Sequence, residues 1–102
     1  MKEDILIEKI IESATLNLFK VGCDKNNFRI LKSIPSNVNN LIKEFNLSKM
    51  PMNRRINELE KVGLVKRDRW KGDVEPTELT KVFLEKVEYI KKEMKKVLPD
   101  LL

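Results

Sequence analysis

Apolar residues recur at intervals of three and four along nearly the whole chain, and that rhythm lapses only between Leu64 and Leu79. A chain patterned this way must be mainly helical, with one extended segment between its last two helices. Ile7, Ile11, Ala14, Leu18 and Val21 mark one face of a first helix from about Glu3 to Lys20, widened by Leu6, Ile10 and Phe19, with Gly22 as its stop. Asp24 is placed to cap a short second helix carrying Phe28, Leu31 and Ile34, ended by Pro35. Ser36 is the expected cap of a third, in which Val38, Leu41, Ile42 and Phe45 share a face. After Asn46-Leu47-Ser48 a fourth helix starts near Met50 or Pro51, with Met52, Ile56 and Leu59 inward and Gly63 at its positive-φ terminus.

Leu64 to Arg69 then reads as a strand, Trp70-Lys71-Gly72-Asp73 as a turn, and Val74 to Leu79 as the returning strand, with Pro76 marking an edge. Thr80, ahead of Thr77, is the expected cap of the last helix. There Leu79, Phe83, Val87, Ile90, Met94, Val97 and Leu101 repeat at fours and threes, and Pro99 should bend the end. With 102 residues the chain has room for one core, so residues 1–102 are expected to form a single domain.

Several function classes drop out on composition. There is no histidine, which removes the commonest general base and most hydrolase triads, so neither an enzyme nor a catalytic residue is expected. The single cysteine, Cys23, cannot form an internal disulfide or a usual zinc site, and is expected to be a small, partly buried residue; no metal or other cofactor is expected. Gly22, Gly63 and Gly72 are isolated, so no phosphate-binding glycine loop is present. The acidic start, Lys2-Glu3-Asp4, is unlike a secretory signal, and the apolar runs are short; a cytoplasmic protein with no membrane partner is expected.

Helix, short turn, helix, glycine and a two-stranded basic hairpin follow one another in the order of a winged helix-turn-helix. From Ser36 to Arg69 the chain resembles the MarR/ArsR-type archaeal and bacterial regulators. Their pattern there is a short helix, "LS", then "R-x-L-x-x-L-x-x-x-G-L-V-x-R". The matching residues are Leu47-Ser48, Arg54 or Arg55, Ile56, Leu59, Gly63, Leu64, Val65 and Arg67, and Leu79-Thr80 is similar to the family's "L-T" before its final helix. The expected fold is therefore mainly α with a small two-stranded β wing, flanked by long N- and C-terminal helices. The resemblance covers about two thirds of the chain and implies a regulator that binds double-stranded DNA.

Charge points the same way. Between Leu47 and Gly72 there are eight basic residues and three acidic ones, an excess equal to the chain's whole net charge of +5. On a fourth helix whose inner face is Met52, Ile56 and Leu59, the outward set is Lys49, Asn53, Arg54, Asn57 and Lys61. Asn53 and Asn57 are expected to pair with adenine, and Arg54 to read guanine or hold a phosphate. Arg55 lies at the flank, where an intramolecular ion pair competes with a DNA contact. Ser36 and Asn37 would offer a helix N-terminus to a phosphate, and Arg67, Arg69 and Lys71 would reach the backbone or minor groove. Trp70 is expected to pack beneath the hairpin rather than meet a sugar.

The terminal helices, residues 1–22 and 80–102, carry more apolar surface than segment 24–79 can cover. A homodimer through Ile7, Ile11, Leu18, Phe83, Val87, Ile90, Met94 and Val97 is expected, presenting two recognition helices to successive major grooves. Any small-molecule effector would have to sit between those helices and the winged segment. The rival expectation is a winged helix that binds proteins within a transcription or replication assembly. Met50-Pro51-Met52 lends it weight, standing where the regulators usually have small hydroxyl residues.

Overall fold

The computed structural model describes residues 2–101; Met1 and Leu102, the ends of the expected domain, and the Leu101 side chain at the end of the C-terminal stripe lie outside the described residues. The described residues form five helices and a three-stranded antiparallel sheet. Helix α1 (Lys2–Gly22) has Glu3 and Asp4 in its first turn and Lys20 in its last, each opposing the helix dipole favourably. Asp24 caps α2 (Lys25–Ser33), accepting from the Asn26 and Asn27 amides at 3.1 Å. Strand β1 (Ser36–Asn37) leads into α3 (Val38–Phe45), and Asn46, at φ 52°, closes that helix in the left-handed conformation asparagine tolerates. Helix α4 (Lys49–Lys61) follows, with Pro51 in its first turn, where no amide is required.

Gly63 turns the chain out of α4 at φ +85°, and the Leu64 amide returns to the Leu59 carbonyl at 2.9 Å. Strands β2 (Val65–Arg67) and β3 (Asp73–Pro76) then form a hairpin, and α5 (Glu78–Leu101) completes the chain. The sheet order is β1-β3-β2, with Ser36 opposite Val74, and Val65, Lys66 and Arg67 opposite Pro76, Glu75 and Val74. Ile30, Leu31 and Leu41 from α2 and α3 meet Met52, Ile56 and Leu59 of α4. Leu64, Val65 and Val74 of the hairpin and Phe83 of α5 close this core.

The sheet corrects the expected two-stranded wing. Ser36 is not a helix cap; it pairs with Val74, and Asn37 caps α3 instead, accepting from the Asn40 amide at 2.9 Å. β3 is thereby the central strand, not an edge. Pro76 is tolerated because β1 is only two residues long and ends short of it. At the start of α5 the roles of the threonines are reversed. Thr77 precedes the helix and Thr80 sits in its first turn, with the Thr77 amide donating to Thr80 Oγ1 at 2.9 Å. Thr77 Oγ1 also donates to the Gly63 carbonyl at 2.6 Å and Thr80 Oγ1 to the Leu64 carbonyl, so the pair ties α5 to the α4–β2 junction.

Gly22 is the last residue of α1, not a stop beyond it. Its role is close packing: a Cβ there would stand 2.8 Å from Phe83 Cζ and 3.0 Å from Leu64 Cδ1. Phe83 is held edge-on by Phe19 and Phe28, with centroids 5.4 and 6.2 Å away. Pro99 lies inside α5, which runs on to Leu101. Cys23 is exposed rather than partly buried. Trp70 is 99% exposed at the hairpin tip and packs under nothing.

Only the C-terminal end of α1 and the first turns of α5 reach the core; up to Asn17 every described α1 residue is exposed. The Cα radius of gyration is accordingly 16.2 Å, against about 13 Å for a compact domain of this length. No helix among the described residues is long and apolar enough to cross a membrane.

Candidate nucleic-acid interface

The apolar face of α4 goes inward and its polar face is left on the surface. Lys49, Met50, Asn53, Arg54, Asn57, Glu58 and Lys61 line a shallow concavity of about 560 Å³ along that outer face. The three cations are exposed, and none has a carboxylate partner among the described residues. Arg55, one position round the helix, points back instead. Its Nη1 donates to Asp24 Oδ1 at 2.7 Å and to Asn27 Oδ1 at 3.2 Å, fastening α4 to the cap of α2. The backbone N–H of Asn27 is the main reason the Asp24 carboxyl is held below its ordinary value, with Arg55 adding to the effect.

Arg67 does not lie where a backbone-gripping wing residue would. Side chains alternate along a strand, so Arg67 shares the face of buried Val65 and turns toward α4. Its Nη1 donates to Asn57 Oδ1 at 2.8 Å and its Nη2 to Asn53 Oδ1 at 2.7 Å, while Asn53 Nδ2 donates to the Lys49 carbonyl at 2.9 Å. Arg67 Nε is buried with no partner among the described residues. An unmet buried donor costs about 1–3 kcal/mol, which the two charge-assisted bonds offset. This arrangement runs against the expectation that Asn53 and Asn57 pair with adenine, because that pairing presents the amide oxygen to the base and Arg67 turns both oxygens toward itself. The parity of Arg67 with Val65 was the signal in the sequence that pointed inward.

The hairpin tip is organised by Asp68. Its carboxylate accepts from the backbone N–H of Trp70 at 2.9 Å and of Lys71 at 3.1 Å, and these bonds lower its pKa, Lys71's first. With Gly72 at φ +76°, the turn holds Trp70 and Lys71 outward. Arg69 Nη2 meets Glu60 Oε1 at 3.1 Å but remains largely exposed, a surface pair that a phosphate can replace at little cost. Lys66 faces the other side of the hairpin, opposite Glu75.

At Ser36 and Asn37, expected to offer a helix N-terminus to a phosphate, two of the first α3 amides already have partners within the chain. The Val38 amide donates to the Gly72 carbonyl at 2.9 Å and the Asn40 amide to Asn37 Oδ1, which leaves fewer free donors at the α3 N-terminus.

On the opposite flank, α1 and α5 enclose an apolar groove of about 1130 Å³ lined by residues that include Leu18, Phe19, Val82, Ile90, Met94 and Leu98. Of the residues expected at a dimer contact, Ile7, Ile11, Ile90, Met94 and Val97 are about half exposed. Leu18 and Val87 pack partly against the core. Phe83 is not available for that role, because at 3% exposure it belongs to the chain's own core. Val82 and Tyr89, outside the heptad stripe, are exposed beside it. Compared with known proteins, the chain matches no family model and no curated sequence.

Proposed function

We propose that this protein is a non-enzymatic transcriptional regulator: a winged helix-turn-helix that binds double-stranded DNA as a homodimer. The observation that carries the reading is the set Lys49, Arg54, Lys61 and Lys71, exposed on α4 and the hairpin tip and in no ion pair among the described residues. Three residues, Asn46-Leu47-Ser48, join α3 to α4, which suits a helix-turn-helix. In this reading α4 enters the major groove while Arg69, Lys71 and Trp70 lie along the backbone or the adjacent minor groove.

The dimer rests on surface area. The protomer exposes 8023 Å², whereas a compact monomer of its mass exposes about 6,000 Å². The surplus is concentrated where α1 and α5 leave the core, and covering it with a second copy gives an interface of the size seen in obligate dimers. Two α4 helices would then face successive major grooves.

Binding to a mixed-sequence duplex at rising salt tests the reading. If three of the four cations in each protomer neutralise phosphates, log affinity should fall against log salt with a slope of about −5. A flat dependence contradicts it. A flat dependence is also what a protein partner on this face would give, a reading favoured by Met50, which is 77% exposed at the start of α4.

A further inference from the structure

We infer that Arg67 sets the base preference of the α4 face, making it select guanine over adenine at the base pair facing Asn57. The inference rests on the duplex-binding reading above and deepens it. A guanidinium has donors only, so the oxygens of Asn53 and Asn57 must both turn toward Arg67, whichever way an amide might otherwise rotate. Asn57 Nδ2 is then left toward the concave outer face, not buried and without a partner among the described residues. Asn53 Nδ2 is already committed to the Lys49 carbonyl.

The outer face consequently offers donors from Lys49, Arg54, Lys61 and the Asn57 amide, with Glu58 as the side-chain carboxylate among them and Met50 at the start of the helix. In the major groove guanine presents two acceptors, N7 and O6, whereas adenine presents one acceptor and one donor. With its oxygen turned to Arg67, Asn57 presents its amide N–H to the groove, which meets guanine without conflict and leaves the adenine N6 donor without a facing acceptor. Glu58, next in sequence to Asn57 and lining the same concavity, can accept from cytosine N4 of the same pair. Arg67 acts through Asn57 and does not itself touch the base, so it is a positioning residue.

Selection of bound duplexes from a random pool, run with the wild-type protein and with Arg67→Met, tests this. The wild type should enrich guanine at one position of each half-site, with adenine there disfavoured by about tenfold, the scale of a good base contact. Arg67→Met releases the Asn57 oxygen, and adenine at that position should rise to parity or beyond. A purely structural role would weaken binding to all sequences without changing this preference. If Arg67→Met fails to fold, as read by its thermal melt, Asn57→Asp carries the test. It keeps an acceptor for Arg67 but loses the outward donor, and guanine enrichment at that position should disappear. Adenine enriched by the wild type, or a selected motif identical in the variants, overturns the role of Arg67 while leaving duplex binding intact. A pool from which nothing is retained in a salt-sensitive way overturns both.

Discussion

Replacing Ile90 and Met94 with lysine separates association from folding, because both side chains lie outside the protomer core at 55% and 48% exposure. Half of each side chain is buried within one copy, so each substitution costs that copy about 1 kcal/mol or less, the lysine stem retaining part of the contact. The effect on a dimer is larger. Full burial of a side chain of this size is worth about 1.5–3 kcal/mol, and with half already gained inside the protomer, about 1 kcal/mol remains for the interface. Two residues in each of two protomers make about 4 kcal/mol, or close to a thousandfold in the dimer dissociation constant. Stranding four ammonium groups against apolar surface raises the penalty further. Sedimentation velocity over a concentration series should show a wild-type dimer and a double variant that runs as a monomer, with matching circular dichroism. A wild type that is monomeric throughout, or a double variant that still dimerises at the same concentrations, would refute the assignment of the groove to a second copy.

Three further outcomes follow from particular contacts. Gly22→Ala gains less than about 1 kcal/mol of helix propensity, because the position ends α1, but it drives a methyl into Phe83 and Leu64. With overpacking costing about 1–3 kcal/mol, the melting temperature should drop by several degrees; a rise would show that Phe83 yields freely. Asp24→Asn keeps an acceptor for the α2 amides but removes the charge facing Arg55. Because the folded carboxyl is held below its ordinary value, the wild type should be the more stable at pH 6. That advantage should vanish as pH falls below 3.8 and through the lowered value, and chemical denaturation across pH reads the crossover. Trp70, the chain's one tryptophan, should be open to acrylamide quenching in the unbound protein and shielded when duplex DNA is added. Unchanged quenching at saturating duplex would remove the hairpin tip from the interface.

The elements legible in the sequence are those specified locally. The inward triad Met52, Ile56 and Leu59, the terminus at Gly63 and the cap at Asp24 depend on neighbours within a few residues, and each stands where the pattern put it. What was not legible depends on partners far along the chain. Two residues at Ser36 become a strand only because β3 offers its second edge. Gly22 reads as a helix stop until Phe83, sixty-one positions on, is seen against it. The same holds for the candidate interface. Lys49, Arg54, Lys61 and Lys71 are exposed as their spacing implied, whereas Arg67 is drawn inward by two asparagines ten and fourteen residues away.

The central claim is that α4 and the hairpin tip form a duplex-binding face, and nuclear magnetic resonance tests it residue by residue. Backbone amide shifts recorded while a duplex is titrated into the labelled protein should move at Lys49–Lys61 and at residues 67–72, and the side-chain amide of Asn57 should move with them. Shifts confined to the α1–α5 groove, or an unperturbed spectrum at saturating duplex and low salt, would contradict it.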